Sequence, residues 1–128
     1  MKEQLKAVEE FHKVFKQNYN DFPMLILEEE AELRHRLLQE ELDEYLNAAK
    51  EGNMFEIADA LGDQLYILYG TIIKHGMQHI IVDIFNEIHR SNMSKLGPDG
   101  EPILREDGKI LKGPDYTKPD ILSIMLPF

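Results

Sequence analysis

Residues 37–74 read LLQEELDEYLNAAKEGNMFEIADALGDQLYILYGTIIK, and the division of this stretch decides the fold. Leu38, Leu42, Tyr45, Leu46 and Ala49 recur at the intervals of an amphipathic helix, and Gly52 supplies its C-terminal stop. Turning that helix by about 100° per residue gathers Leu37, Ala48, Tyr45, Leu38, Ala49 and Leu42 on one arc. Glu41 falls in the middle of the arc, Glu44 at its border and Glu40 just beyond, whereas Asp43 lies on the polar side. A carboxylate on a packing face is costly to bury as an ion unless a cation or hydrogen-bond donors meet it, so Glu41 needs a partner.

The second half starts at Asn53, a suitable N-cap, and runs to Gly76, a natural residue to follow a helix end. Ile57, Leu61, Leu65, Leu68 and Ile72 form the expected core stripe. Glu56, Asp59 and Asp63 cluster within roughly 60° of one another opposite that stripe. The same face continues as Tyr66, Ile67 and Gly70, which makes the helix apolar nearly all round and predicts that it is buried. Two antiparallel helices joined at Gly52 bring Glu40, Glu41 and Glu44 opposite Asp59 and Asp63. Carboxylates converging in a dry place repel, and protons or hard divalent cations must compensate. Magnesium is the expected ion, with manganese as its substitute.

The chain has 128 residues, 43% of them hydrophobic, which suffices for one cored domain, and no low-complexity linker divides it. A single domain over residues 1–128 is expected. Neither a membrane span nor a signal peptide is indicated, and the absence of cysteine excludes thiolate metal sites and fits a cytoplasmic protein. The net charge of −10 resides wholly in residues 1–89, with 18 acidic and 8 basic side chains, because residues 90–128 hold 6 of each. Such a surface argues against a nucleic-acid duplex, which needs a basic footprint, but allows a small phosphorylated substrate bridged by metal.

The rest of the chain completes an all-α bundle of four to five helices. Residues 2–19 form an expected first helix with Leu5, Val8, Phe11, Phe15 and Tyr19 on one face. Pro23 suits the start of the second, and the run from Glu28 to Arg36 reads as its solvated first half. A fourth helix is expected from Gln78 to Asn92 with Ile81, Ile84, Phe85 and Ile88 inward. Its exit, EIHRSNMSKLG, concentrates donors where a helix C-terminus favours cations. Turn signals follow, with a short hairpin expected across Glu106-Asp107-Gly108 and a closing helix from Ile121 to Leu126. Asn92, Lys95, Lys112 and Tyr116 are the candidates to contact phosphate or base.

The E-x-x-E of Glu41 and Glu44, the acidic patch on the next helix and the block LGDQLYILYG resemble the all-α nucleoside triphosphate pyrophosphohydrolases, the MazG-like superfamily that includes phosphoribosyl-ATP pyrophosphohydrolase. HRSNMSKLG and KGPDY look like the subgroup labelled Cof-like, which contains an enzyme acting on dUTP. The resemblance implies a MazG-like bundle, commonly oligomeric, that hydrolyses a nucleoside triphosphate to the monophosphate and pyrophosphate. It also implies a second acidic motif, E-x-x-D, which fits in two registers: Glu56 with Asp59, or Ala60 with Asp63. The i, i+4 spacing of Asp59 and Asp63 favours that pair, since Glu56 has a rival role beside Asn53 at the helix start. The expected metal ligands are thus Glu41, Glu44, Asp59 and Asp63, with Glu40 to orient or deprotonate the attacking water and Glu41 essential for catalysis. A homodimer is the expected assembly.

Two other readings compete. A carboxylate di-iron bundle would use E-x-x-H repeats, and Glu9–His12 and Glu32–His35 have that spacing. A non-catalytic helical interaction domain would leave the acids in solvent, against the place of Glu41 on the apolar arc.

Overall fold

The computed structural model describes residues 1–126 and is helical apart from one short hairpin. It forms two compact units, the first Met1–His79 and the second beginning at Ile80.

The first unit is built on α3, Met54–Lys74, against which α1, Lys2–Val14, and α2, Glu28–Glu51, both pack. Its core comprises Leu5, Val8, Ala48, Ala60 and Ile73, with His12 and Lys74 enclosed among them. Helix α1 ends earlier than its apolar pattern, because Lys16 takes a left-handed backbone at φ 56° and the Gln17 amide turns back to the His12 carbonyl. Tyr19 therefore lies on a connecting segment. Pro23 does not open α2. Residues 23–27 run irregularly, and the Asn20 and Met24 amides donate instead to the carbonyls of Ile73 and His75, at 3.1 and 3.0 Å. These bonds fall on carbonyls at the C-terminal end of α3, where the regular helical donors run out; that of Ile73 also accepts the Gly76 amide.

The face of α3 that points inward also differs from the expected stripe. Ala60, Gly70, Ile73 and Lys74 are buried, whereas Leu61, Leu65 and Leu68 remain 44–52% exposed. Periodicity marks where apolar stripes lie on a helix, and α3 has two; which one meets the rest of its own chain is settled by packing.

In the second unit α4, Ile81–Met93, packs on the short α5, Ile121–Met125. Ile84 is the buried apolar residue of α4, while Phe85 and Ile88, both expected inward, are exposed. Strands β1, Ile103–Leu104, and β2, Ile110–Leu111, pair antiparallel with Ile103 opposite Leu111, closing at Gly108.

Candidate metal centre and its surroundings

The α2–α3 corner is made by local chemistry. Gly52 adopts φ 69°, and the amides of Gly52 and Asn53 return to the carbonyls of Ala49 and Ala48. The Asn53 side chain then accepts the Glu56 amide at 3.1 Å, capping α3. That interaction is one half of a capping box: the Asn53 amide is spent on Ala48, and no reciprocal bond from Glu56 forms.

Antiparallel packing across this corner brings together one oxygen each of Glu41, Glu44 and Asp63, all within 4.8 Å of one another. Oxygens at such separations can surround one hard cation, which holds its ligands at about 2.0–2.6 Å, with small side-chain adjustments. Glu41 is half-buried, and its Oε2 is fully enclosed without a hydrogen-bond partner. Burial first, then the adjoining Glu44 carboxyl and the charges of Asp63 and Asp59, push the Glu41 pKa from 4.5 up to about 7. An enclosed carboxylate oxygen lacking a donor among like charges is the environment that a divalent ion relieves. The donor set, all carboxylate oxygen, fits magnesium or manganese and offers nothing to softer ions.

The other expected site residues sit as follows. Asp59 is exposed and acts on Glu41 through its charge, but its oxygens are not among the three that converge. Glu40 is exposed and borders a hollow of about 260 Å³ with His35, Arg36, Gln39 and Asp43. Asn92 is exposed near the end of α4. Beyond α4, the Lys95 carbonyl accepts the Gly113 amide at 2.8 Å, and the Lys112 ammonium stands 4.8 Å from the Tyr116 ring centre, a cation–π pair.

The neighbouring donors of EIHRSNMSK have a structural task. Arg90 forks onto Glu87 and also reaches the Thr117 hydroxyl and the Lys118 carbonyl. Ser91 donates to the Thr117 carbonyl, and Ser94 accepts the Thr117 amide, so this motif pins the segment leading into α5.

One group of residues escaped the sequence reading. Arg34, expected on a solvated face, turns inward, with Nε donating to the Thr71 hydroxyl at 3.0 Å and Nη2 to the Ile67 carbonyl at 2.6 Å. Its guanidinium lies over Gly70, where a β-carbon would collide with it. His12 sits beside the same glycine, only 4% exposed, with Nδ1 donating to the Val8 carbonyl at 2.9 Å. Lys74, 8% exposed, donates to Asn18 Oδ1 at 2.7 Å. The signal in the sequence was a glycine in mid-helix at position 70, which often marks close approach of another group. The E-x-x-H spacing of Glu9 and His12 has no metal counterpart here, since His12 faces Arg34 and Lys74 and is not among the converging ligands.

An all-α fold in which a helical hairpin carries a third helix on its second arm is of the MazG-like class. Residues 8–92 match the family described as phosphoribosyl-ATP pyrophosphohydrolase, so the chain belongs to that family. A crystal structure of a candidate NTP pyrophosphohydrolase from Exiguobacterium sp. 255-15 superposes with a TM-score of 0.54 at 24% identity, covering 97% of this chain and 94% of that one, and shares its fold. The uncharacterized protein L479 of Acanthamoeba polyphaga mimivirus is 41% identical over 69 residues, which are 51% of this chain and 28% of that protein. The chain thus spans little more than a quarter of that relative's length. Among the described residues no helix is long and apolar enough to cross a membrane.

Proposed function

We propose that the protein is a magnesium-dependent nucleoside triphosphate pyrophosphohydrolase: water attacks within the triphosphate, one phosphoanhydride bond breaks, and the monophosphate and pyrophosphate leave. The observation that carries this reading is the convergence of Glu41, Glu44 and Asp63 with Glu41 Oε2 enclosed and unpartnered, in a chain of the pyrophosphohydrolase family. Those three residues, with Asp59 beside them, would hold the ion. When bound, it would neutralise the triphosphate against an otherwise repulsive acidic face and lower the pKa of a bound water. Glu40, the next residue to Glu41 on α2, would serve to orient and deprotonate the attacking water. Asn92, Lys95, Lys112 and Tyr116 are proposed substrate-binding residues on their chemistry, as amide, cationic and phenolic donors for phosphate or base. The proposed substrate is dUTP or a non-canonical nucleoside triphosphate, the setting the cytoplasm, and the assembly a homodimer.

The test is a panel of canonical and modified nucleoside triphosphates assayed with and without magnesium, scored separately for pyrophosphate and orthophosphate. Magnesium-dependent pyrophosphate release is expected. Release of orthophosphate, or undiminished turnover in chelator, would overturn the assignment.

A further inference from the structure

The corner at Gly52 fixes one end of the α2–α3 pair, and the converging carboxylates lie along its arms, at positions 41, 44 and 63. Apolar packing does little to hold the arms in register farther out. Leu42, Leu61, Leu65 and Leu68 remain exposed around an open hollow, and apolar contact is non-directional, so it resists sliding weakly. Among the described residues, the side-chain hydrogen bonds that cross between the arms are two from Arg34 and one, at 3.4 Å, from Gln64 Nε2 to the Glu41 carbonyl. Among the same residues no ion pair crosses.

Arg34 is shaped to grip. The Nε and Nη2 protons form one edge of its planar fork, and that edge spans the Thr71 hydroxyl and the Ile67 carbonyl. The Thr71 hydroxyl donates in turn to the same carbonyl at 3.2 Å, closing a ring of hydrogen bonds. Gly70 supplies the room, since a β-carbon there would meet the guanidinium. Burial lowers the Arg34 pKa, which marks a desolvation cost. No carboxylate among the described residues offsets it, so the arginine is explained by what its fork holds and not by charge pairing. Ile67 is one turn beyond Asp63 on α3, and Arg34 is two turns before Glu41 on α2. Over so few turns each helix moves as a rod, and a slip at the tie is a slip at the carboxylates. One residue of register is about 1.5 Å along the axis. Magnesium tolerates little such error, because it demands near-ideal octahedral geometry at about 2.0–2.1 Å.

We propose that Arg34 is a positioning residue: its grip on Ile67 and Thr71 across Gly70 fixes the register of α2 against α3 and thereby holds Glu41, Glu44 and Asp63 within reach of one ion. It acts through those carboxylates and not as a ligand. The inference rests on the metal-centre part of the proposed function, but its first test needs no metal.

The chain has no cysteine, so spin labels at Gln39→Cys and Gly62→Cys, both exposed positions, report the distance between the arms of the full chain in chelator. Arg34→Met should broaden or shift that distance distribution. Gly76→Ala, a destabilising change beyond the end of α3, should leave it unaltered. Manganese binding is then read by electron paramagnetic resonance well below the Tm of each variant, with magnesium and calcium as competitors. Loss of a group that orients metal ligands typically weakens binding by about 10–100-fold. Arg34→Met is expected in that range for manganese and magnesium, with a smaller loss for calcium, whose coordination is flexible. Gly76→Ala should lower Tm and keep the wild-type affinity, which separates positioning from stability. Thr71→Val is isosteric and expected to fold even if Arg34→Met does not; by removing one acceptor it should weaken manganese binding roughly threefold, and Thr71→Ser, which keeps the hydroxyl, should restore it. An unchanged distance distribution in Arg34→Met, an unchanged affinity for a cation that the wild type binds, or an equal loss in Gly76→Ala would overturn the proposal. A distribution that broadens in a chain binding no divalent cation leaves Arg34 its role in register and counts against the metal centre instead.

Discussion

Glu41 is partly protonated near neutral pH, where the carboxyl of the unfolded chain is ionised. Its folded pKa of about 7 lies above the ordinary 4.5, so in the absence of metal its contribution to stability is fully present below about pH 4.5 and is lost as pH rises through 7. Divalent ions displace that proton, and their affinity should climb over the same interval. Thermal melts of the chelated protein across this range should show a Tm that declines toward neutrality, and added magnesium should reverse the decline. In Glu41→Gln the decline should flatten, because no ionisable group remains there, while both the magnesium response and pyrophosphate release disappear. A variant with full metal-dependent turnover would mean that the site is misassigned. Gly70→Ala is a second single-residue test: the new β-carbon meets the Arg34 guanidinium, the far end of a flexible side chain. Displacing it should cost about 1–3 kcal/mol in denaturant unfolding, as the Ile67 and Thr71 bonds are broken.

At the level of elements, α2 and α3 were legible because their junction is encoded locally. Gly52 needs its left-handed backbone, Asn53 has a cap to make, and both act within a few residues of themselves. Helical geometry alone likewise brought Glu41, Glu44 and Asp63 to one place, but it grouped Glu40 and Asp59 with them, and their oxygens are not among those that converge. The end of α1 and the start of α2 were not legible, since partners about fifty positions away decide them: the amides of Asn20 and Met24 bind the far end of α3. The inward turn of Arg34 was hidden for the same reason. Gly76 is where this long-range contact is tightest. It has φ 69°, and a β-carbon would run into the Phe22 backbone. Gly76→Ala should therefore destabilise by about 2 kcal/mol or more, from left-handed strain together with the clash, and equilibrium urea unfolding would measure it.

Across the whole molecule, the sequence indicated which residues are apolar but not which of them the chain covers by itself. Leu38, Leu42, Leu61, Leu65 and Leu68 surround an open hollow of about 450 Å³ on the side of α2 and α3. Contiguous exposed apolar surface of this kind marks interaction sites, and the proposed homodimer would use it. Light scattering coupled to size exclusion should give a dimer mass for the wild type and a monomer mass for Leu65→Glu; a monomeric wild type would remove the proposal.

The Gly52 corner has a kinetic consequence as well. The three converging carboxylates are contributed by residues 41, 44 and 63, so the loop that must close to assemble them is short, and its entropic cost is correspondingly small. Such low contact order favours early formation during folding. If a hairpin nucleus already presents the ligands, magnesium should accelerate refolding as well as slow unfolding in stopped-flow experiments.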